Sequence, residues 1–328
     1  MIRLAILGAG RIGKVHAASA RALPDVRVVA VADAVPDAAA ALATAAGATV
    51  RNAAQILAAD DVDAIIIATP TDTHYDLIEG AAKAGKAIFC EKPIDLATER
   101  VRALAPIVAA AGVPFMTGFN RPFDPSFDAL ITRVRAGEIG AVEVVTITSR
   151  DPAPPPMDYV ARSGGLFRDM MIHDFDLARR LLGEAPVRVQ AAGSALIEPQ
   201  IGALGDVDTA AVILTTASGK IAQIQNSRRA TYGYDQRLEV LGELGMLRAE
   251  NQLETTVERA GEGGFARAPA RHFFLERYAE AYRRELAHFV RCLIEDRAPT
   301  PTLDDGLSAQ ILADAATLAW KEGRPIDL

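Results

Sequence analysis

Ile2-Arg3-Leu4-Ala5-Ile6-Leu7-Gly8-Ala9-Gly10-Arg11-Ile12-Gly13 opens the chain with an apolar strand-like run, a loop carrying three glycines, and the start of a helical pattern. In that order the glycines have separate mechanical uses. Gly8 makes the tight turn, Gly10 lets a pyrophosphate approach the backbone, and Gly13 lets the helix pack on the strand. The helix N-terminus then faces the phosphate charge. A glycine loop alone also serves as a plain turn. Here a second apolar run at residues 26–32 ends in Asp33, the place where a carboxylate would accept hydrogen bonds from an adenosine ribose.

Strand, loop, helix, strand and acid together predict a bound dinucleotide, with Gly8, Gly10, Arg11, Ile12, Gly13 and Asp33 as its contacts. The Asp33 charge would repel a 2′-phosphate, and Ala34-Val35-Pro36-Asp37 supplies no Arg or Lys to neutralise one, so NAD is expected rather than NADP. Asp33 also suits the N-cap of a helix beginning near Pro36. A flavin or a methyl donor could use a similar loop, but neither accounts for the residues further along.

Outward from this loop, short apolar runs at 3–7, 26–32, 64–68, 87–90 and 114–117 alternate with helical stretches at 36–46, 73–84 and 97–111. Runs apolar throughout are what strands buried on both faces of a parallel sheet require. Gly47, Gly85 and Gly112 follow the helices as stop signals. Residues 1–121 are therefore read as a doubly wound nucleotide-binding (Rossmann) domain. Residues 122–328 are read as a substrate-binding and oligomerisation α+β domain with a large, mainly antiparallel sheet. The second reading rests on strands near 142–148, 187–192, 209–214, 220–226, 236–241 and 246–250, with turns at Ala217-Ser218-Gly219 and Gly242-Glu243-Leu244-Gly245. Helices are expected at 125–136, 166–182, 275–296 and 304–321, and the proline-rich 151–157 reads as a loop.

A chain of 328 residues, half of them hydrophobic, exceeds what one core organises, which agrees with two domains. A formal charge of −7 with no long basic block gives no general attraction to nucleic acid or anionic lipid. Cys90 and Cys292 read as reduced structural thiols. The N-terminal run leads at once into the glycine loop and leaves no room for a signal peptide, and no apolar run is long enough to cross a bilayer. A cytoplasmic protein is expected.

Two further segments carry chemistry. Ligands of open α/β sheets sit beyond the carboxyl ends of strands, which is where Ala68-Thr69-Pro70 and Glu91-Lys92-Pro93 fall. Pro93 restrains the backbone beside Lys92, and a cis peptide is an option there. A solvated lysine paired with Glu91 is the plain alternative. Thr69, Pro70, His74, Glu91 and Lys92 are placed to contact the cofactor near its nicotinamide end. Asp169 and His173 stand four apart in an apolar helical stretch, so a carboxylate and an imidazole share a face, as a general base with a fixed tautomer requires. An intrahelical ion pair is the bland alternative. Asp174 and Asp176 read as surface or interface charges, and His16 and His288 as partly buried packing residues. No cluster has metal-ligand spacing, and none is needed where a cofactor carries the hydride.

These segments, with Gly118-Phe119-Asn120-Arg121 and Gly164-Gly165-Leu166-Phe167-Arg168-Asp169-Met170-Met171-Ile172-His173-Asp174-Phe175-Asp176, run over nearly the whole length. The chain thereby resembles the glucose-fructose oxidoreductase, inositol dehydrogenase and rhizopine catabolism family, its inositol 2-dehydrogenase members most of all. The resemblance implies that Lys92, Asp169 and His173 form the catalytic set. It also implies that Arg121 and Tyr232 line a polyol pocket, Tyr234 being an equal candidate for the second place. It further implies a homotetramer built by packing open sheets face to face. The reaction implied is oxidation of a ring hydroxyl of a cyclic polyol by NAD, myo-inositol to 2-keto-myo-inositol. Another polyol or aldose, such as scyllo-inositol or glucose, is the enzymatic alternative, and a dinucleotide-sensing regulatory protein is the non-enzymatic one.

Overall fold

The computed structural model describes residues 1–328. The chain divides into two units, Met1–Phe123 with Glu280–Gln310, and Asp124–Ala279 with Ile311–Leu328.

The first unit holds strands β1 (Ile2–Leu7), β2 (Val26–Ala32), β3 (Thr49–Val50), β4 (Ala64–Ile67), β5 (Ala87–Glu91) and β6 (Phe115–Gly118). Between them lie helices α1 (Arg11–Arg21), α2 (Pro36–Ala46), α3 (Ala53–Leu57), α4 (His74–Lys83) and α5 (Thr98–Ala111). The strands pair in parallel in the order β3-β2-β1-β4-β5-β6, the doubly wound arrangement read from the apolar runs. The short β3 and α3 were not anticipated.

Successive side chains of a strand point to opposite faces, and β1 illustrates the result. Ala5 and Leu7 join a core layer with Ile56, Ile78, Leu104 and Val108 of α3, α4 and α5, while Leu4 and Ile6 join the opposite layer with Ala17 and Leu42 of α1 and α2.

The second unit begins with α6 (Pro125–Arg135) and β7 (Val142–Arg150), then the short α7 (Met157–Val160) and α8 (Leu166–Asp169), then α9 (Ile172–Leu182). It continues with β8 (Pro186–Ser194), α10 (Pro199–Ala203), β9 (Thr209–Thr216), β10 (Ile221–Ser227), β11 (Asp235–Gly242), β12 (Gly245–Ala249), the hairpin β13 (Glu258–Gly261) and β14 (Gly264–Arg267), and α11 (Phe274–Arg277). The chain ends with α12 (Ala279–Ile294), α13 (Leu303–Glu322) and β15 (Ile326–Asp327). The large sheet runs β12-β11-β7-β10-β9-β8-β15; its pairs are antiparallel except β7 with β10. Along β9, Ala210, Val212 and Leu214 are buried whereas Ala211 and Ile213 face outward, so one face is packed and the other open. α9 packs on β7 and β10.

Three expectations need correction. Residues 280–310 do not stay with the second unit, because Leu286, Phe289 and Val290 of α12 complete the core layer that α1 and α2 leave unfinished, with Phe289 edge-on to Phe89 at 5.7 Å. The helix expected over 166–182 is two helices interrupted at Met170–Met171, where Met171 N–H reaches back to Leu166 O and Asp174 N–H bonds Met171 O. Asp174 and Asp176 are fully buried rather than surface charges.

Candidate active site

The glycine loop leaves β1 and caps α1 without a side-chain cap or an acid in its first turn, so the helix's leading N–H groups have no competing anion. Gly8 has φ of +104°, and a Cβ on it would stand 2.4 Å from Ala68 O. A Cβ on Gly13 would stand 1.9 Å from Gly8 O, so only glycine lets α1 seat against the loop. Around Gly10 an added Cβ would meet no protein atom within 4 Å; the space above it is open. Two glycines are thus demanded by the protein's own packing, and the open space over the third leaves room for a dinucleotide pyrophosphate. Arg11 is exposed and Ile12 half-buried at the helix start.

Asp33 follows β2 and accepts hydrogen bonds from Ala9 N–H at 2.5 Å and Val35 N–H at 2.8 Å. It ties the glycine loop to the end of the neighbouring strand. It is not the N-cap of α2; Val35 holds that position without a side-chain bond.

Beyond β4 and β5 the Thr69–Pro70 and Glu91–Lys92–Pro93 segments are joined through His74. Its Nδ1 lies 3.0 Å from Pro93 O and its Nε2 2.9 Å from Thr69 O. Burial pushes the His74 imidazole below its ordinary value, outweighing those carbonyls. Both ring nitrogens are spent on backbone, so His74 holds the two loops together. Lys92 is half-buried, and its peptide to Pro93 is cis. Glu91 does not hold a solvated lysine: its Oε1 is 2.6 Å from Nε2 of His16, a histidine of α1 that is fully buried rather than partly so. Arg121 is buried within this same unit.

In the second unit Asp169 ends α8, and His173 lies in the first turn of α9, half-buried. The interruption between them removes the regular helical spacing on which their adjacency was argued. Among the groups that hold Asp169 are Tyr159 and Arg228, 10 and 59 residues away in sequence. The Tyr159 hydroxyl donates to its Oδ1 at 2.7 Å, and Nη2 of the buried Arg228 stands 3.5 Å from its Oδ2. Burial, then the Asp169 charge, pushes the Tyr159 phenol up. Beneath His173, Asp174 accepts from Ser149 Oγ at 2.7 Å and Asn226 Nδ2 at 2.8 Å, fastening the helix to β7 and β10. Asp176 accepts from Arg180 Nε at 2.8 Å.

Of the two tyrosines, Tyr234 is a core ring edge-on to Tyr278, whereas Tyr232 is half-exposed, donates to Asp235 at 2.7 Å and receives Arg150 at 2.6 Å. His16, Tyr159 and Arg228 were not anticipated as site residues. Gly13, His16, Ala17 and Ala20 share one buried stripe of α1, so helical spacing could have turned His16 inward. Tyr159 and Arg228 carry no local signal. No group of three or more His, Cys, Asp or Glu side chains could hold a metal ion, and no helix is long and apolar enough to cross a membrane.

In the first unit, a parallel sheet with an open-topped glycine loop, an acid locking that loop and a lysine following a strand end have the character of a dinucleotide-dependent oxidoreductase, and the second unit carries an aspartate and a histidine of its own. A family model described as an oxidoreductase family with an NAD-binding Rossmann fold matches residues 2–119, and a GFO/IDH/MocA C-terminal domain model matches residues 127–248. The chain belongs to the GFO/IDH/MocA family. It is 55% identical to the inositol 2-dehydrogenase of Rhizobium meliloti over 100% of this chain and 99% of that one. A crystal structure of a myo-inositol dehydrogenase from Corynebacterium glutamicum superposes with a TM-score of 0.96 at 44% identity, covering 100% of this chain and 99% of the other. Scyllo-inositol dehydrogenase of Lactobacillus casei, solved with NAD(H) and scyllo-inositol, gives 0.93 at 30% identity, covering 100% and 99%. The chain is an NAD-dependent oxidoreductase acting on CH–OH groups. The reading as a non-enzymatic dinucleotide sensor falls.

Proposed function

We propose that this enzyme oxidises a ring secondary hydroxyl of a cyclic polyol, myo-inositol before others, to give 2-keto-myo-inositol. The observation that carries the reading is the full-length match to inositol 2-dehydrogenase, at 55% identity, in a chain that also holds Lys92, Asp169 and His173. NAD, when bound, accepts the hydride. His173 takes the hydroxyl proton as the C–H electron pair departs and the C=O bond forms. Lys92 donates a hydrogen bond to the reacting oxygen and stabilises its developing negative charge. Asp169 orients His173 and accepts from a neighbouring ring hydroxyl, and Arg121 and Tyr232 contact the rest of the polyol. Gly8, Gly10, Arg11, Ile12, Gly13 and Asp33 bind the dinucleotide, with Thr69, Pro70 and Glu91 toward its nicotinamide end.

General-base assistance contributes roughly 10²- to 10⁴-fold, so His173→Ala should lower turnover by about that factor while leaving NAD affinity intact. Turnover within a few-fold of the parent would exclude His173 as the base. The substrate is tested by following reduced cofactor over myo-inositol, scyllo-inositol and glucose, with NAD and NADP in parallel. Myo-inositol with NAD is expected to give the highest kcat/KM. Preference for scyllo-inositol is the second reading, favoured by the likeness to the Lactobacillus casei enzyme. The two reduced thiols support a cytoplasmic setting. The open face of the large sheet supports assembly into a homotetramer, which light scattering on the eluting protein would measure.

A further inference from the structure

We infer that Tyr159 is a positioning residue for the reaction, fixing the Asp169 carboxylate in its working orientation against the fixed cation of Arg228. The inference rests on the reading of Asp169 as a member of the catalytic set.

Asp169 needs such help because its own helix cannot provide it. α8 has four residues and ends at Asp169, and the interruption at Met170–Met171 separates it from α9, which carries His173. A carboxylate at the last position of a one-turn helix has a free choice of rotamer unless tertiary partners remove it. Tyr159 and Arg228 are among those partners, one at each oxygen. Arg228 Nη2 stands 3.5 Å from Oδ2; Arg228 is 1% exposed, and its backbone N–H is anchored to Asp208 O at 2.8 Å, so the cation is fixed by the sheet end after β10. At 3.5 Å it supplies charge more than direction. Tyr159 supplies the direction: its Oη–H donates to Oδ1 at 2.7 Å, the length of a charge-assisted bond to a carboxylate.

Tyr159 sits in α7, directly after the proline-rich residues 151–156, and Ala161 N–H and Tyr159 N–H close the turn onto Met157 O and Pro156 O. The proline segment thus has a use beyond connecting β7 to α8: prolines restrict the chain before folding and so lower the entropy lost in presenting this phenol. Tyr159 is 45% exposed, so the hydroxyl that orients Asp169 belongs to a side chain at the protein surface rather than to the core. With its proton committed to Asp169, the phenol oxygen keeps acceptor capacity for a substrate hydroxyl.

The test is a double-mutant cycle on Tyr159→Phe and Asp169→Asn, with kcat and KM for myo-inositol, NAD affinity by titration, and thermal midpoint for each variant. Tyr159→Phe keeps the ring and removes the donor. It is expected to lower kcat about 10- to 100-fold, the range for a hydrogen bond to a charged group, with NAD affinity and thermal midpoint close to the parent. In the Asp169→Asn background the same change should cost less than about 3-fold, because the carboxylate it serves is gone. An unchanged kcat in Tyr159→Phe, or an equal loss in both backgrounds, overturns the positioning role. Full activity in Asp169→Asn overturns the catalytic reading of Asp169 itself and takes this inference with it. Impaired Asp169→Asn beside normal Tyr159→Phe removes the inference alone.

Discussion

Gly10 and Gly13 lie three residues apart in one loop and are glycine for different reasons, which makes their alanine variants separable. At Gly13 the added methyl collides with Gly8 O at 1.9 Å whether or not a ligand is present, so Gly13→Ala should cost about 1 to 3 kcal/mol of stability as α1 shifts, and NAD affinity should fall with it. At Gly10 nothing lies within 4 Å, so Gly10→Ala should leave the melting temperature without NAD unchanged and weaken NAD binding by about 10-fold or more. Thermal melts with and without NAD, beside a cofactor titration, decide the matter; a Gly10→Ala protein that binds NAD normally would remove Gly10 from the cradle. The loop was legible in the sequence because its glycines stand at fixed spacing between a strand and a helix, although the atoms that demand glycine at position 8 come from Ala68 and Thr69. The hydrogen bonds of His74 were not legible, since Thr69 O and Pro93 O, the atoms that occupy its ring nitrogens, come together only when two loops from different strands fold side by side.

Elements were legible where burial is symmetric. β2 and α2 fall at 26–32 and 36–46 as read, because a strand covered on both faces is apolar throughout and a helix between glycine and proline has marked ends. The interruption between α8 and α9 was not, because Met170 and Met171 are neither glycine nor proline and the apolar pattern continues through them. Neither was the inward turn of Asp174, since a helix with charges reads as amphipathic wherever they point. Its burial has an energetic consequence. Asp174→Ala leaves the donors of Ser149 and Asn226 unsatisfied in the core, at about 1 to 3 kcal/mol each, partly offset if Ser149 keeps its bond to Gln236 Oε1. The urea midpoint should drop accordingly, whereas Asp158→Ala, on an exposed residue of α7, should leave it in place. Equal midpoints for the two variants would mean that α9 is not held to the sheet by this network.

At the scale of the folded chain, the return of α12 to the first unit places a carboxyl where the sequence suggests only a helix face. An amphipathic stripe says that one side is buried without saying against what, so the destination of residues 280–310 was not legible, nor was the surrounding of Glu285. That side chain is fully buried with no hydrogen-bond partner on either oxygen, in the same unit as Glu91 and His16. Burial, then the Glu91 charge, pushes its carboxyl well above the ordinary glutamate value. A carboxyl raised in the folded state holds its proton there while the unfolded chain has released it, so its contribution to stability is complete below the ordinary value of about 4.3 and is lost as pH rises toward the folded value. Over that window the loss approaches about 1.4 kcal/mol per pH unit. Glu285→Gln has no proton to exchange. Its unfolding free energy should therefore match the parent near pH 4 to 5 and exceed it increasingly as pH rises through neutrality, read from urea melts of both proteins along a pH series. The difference should grow with pH in the first unit's transition, because Glu285 and the Glu91 that opposes its ionisation both belong there. Parallel stability curves for the two proteins would show that Glu285 ionises in the folded state as readily as in the unfolded one, and that α12 covers the sheet without holding a neutral acid beneath it.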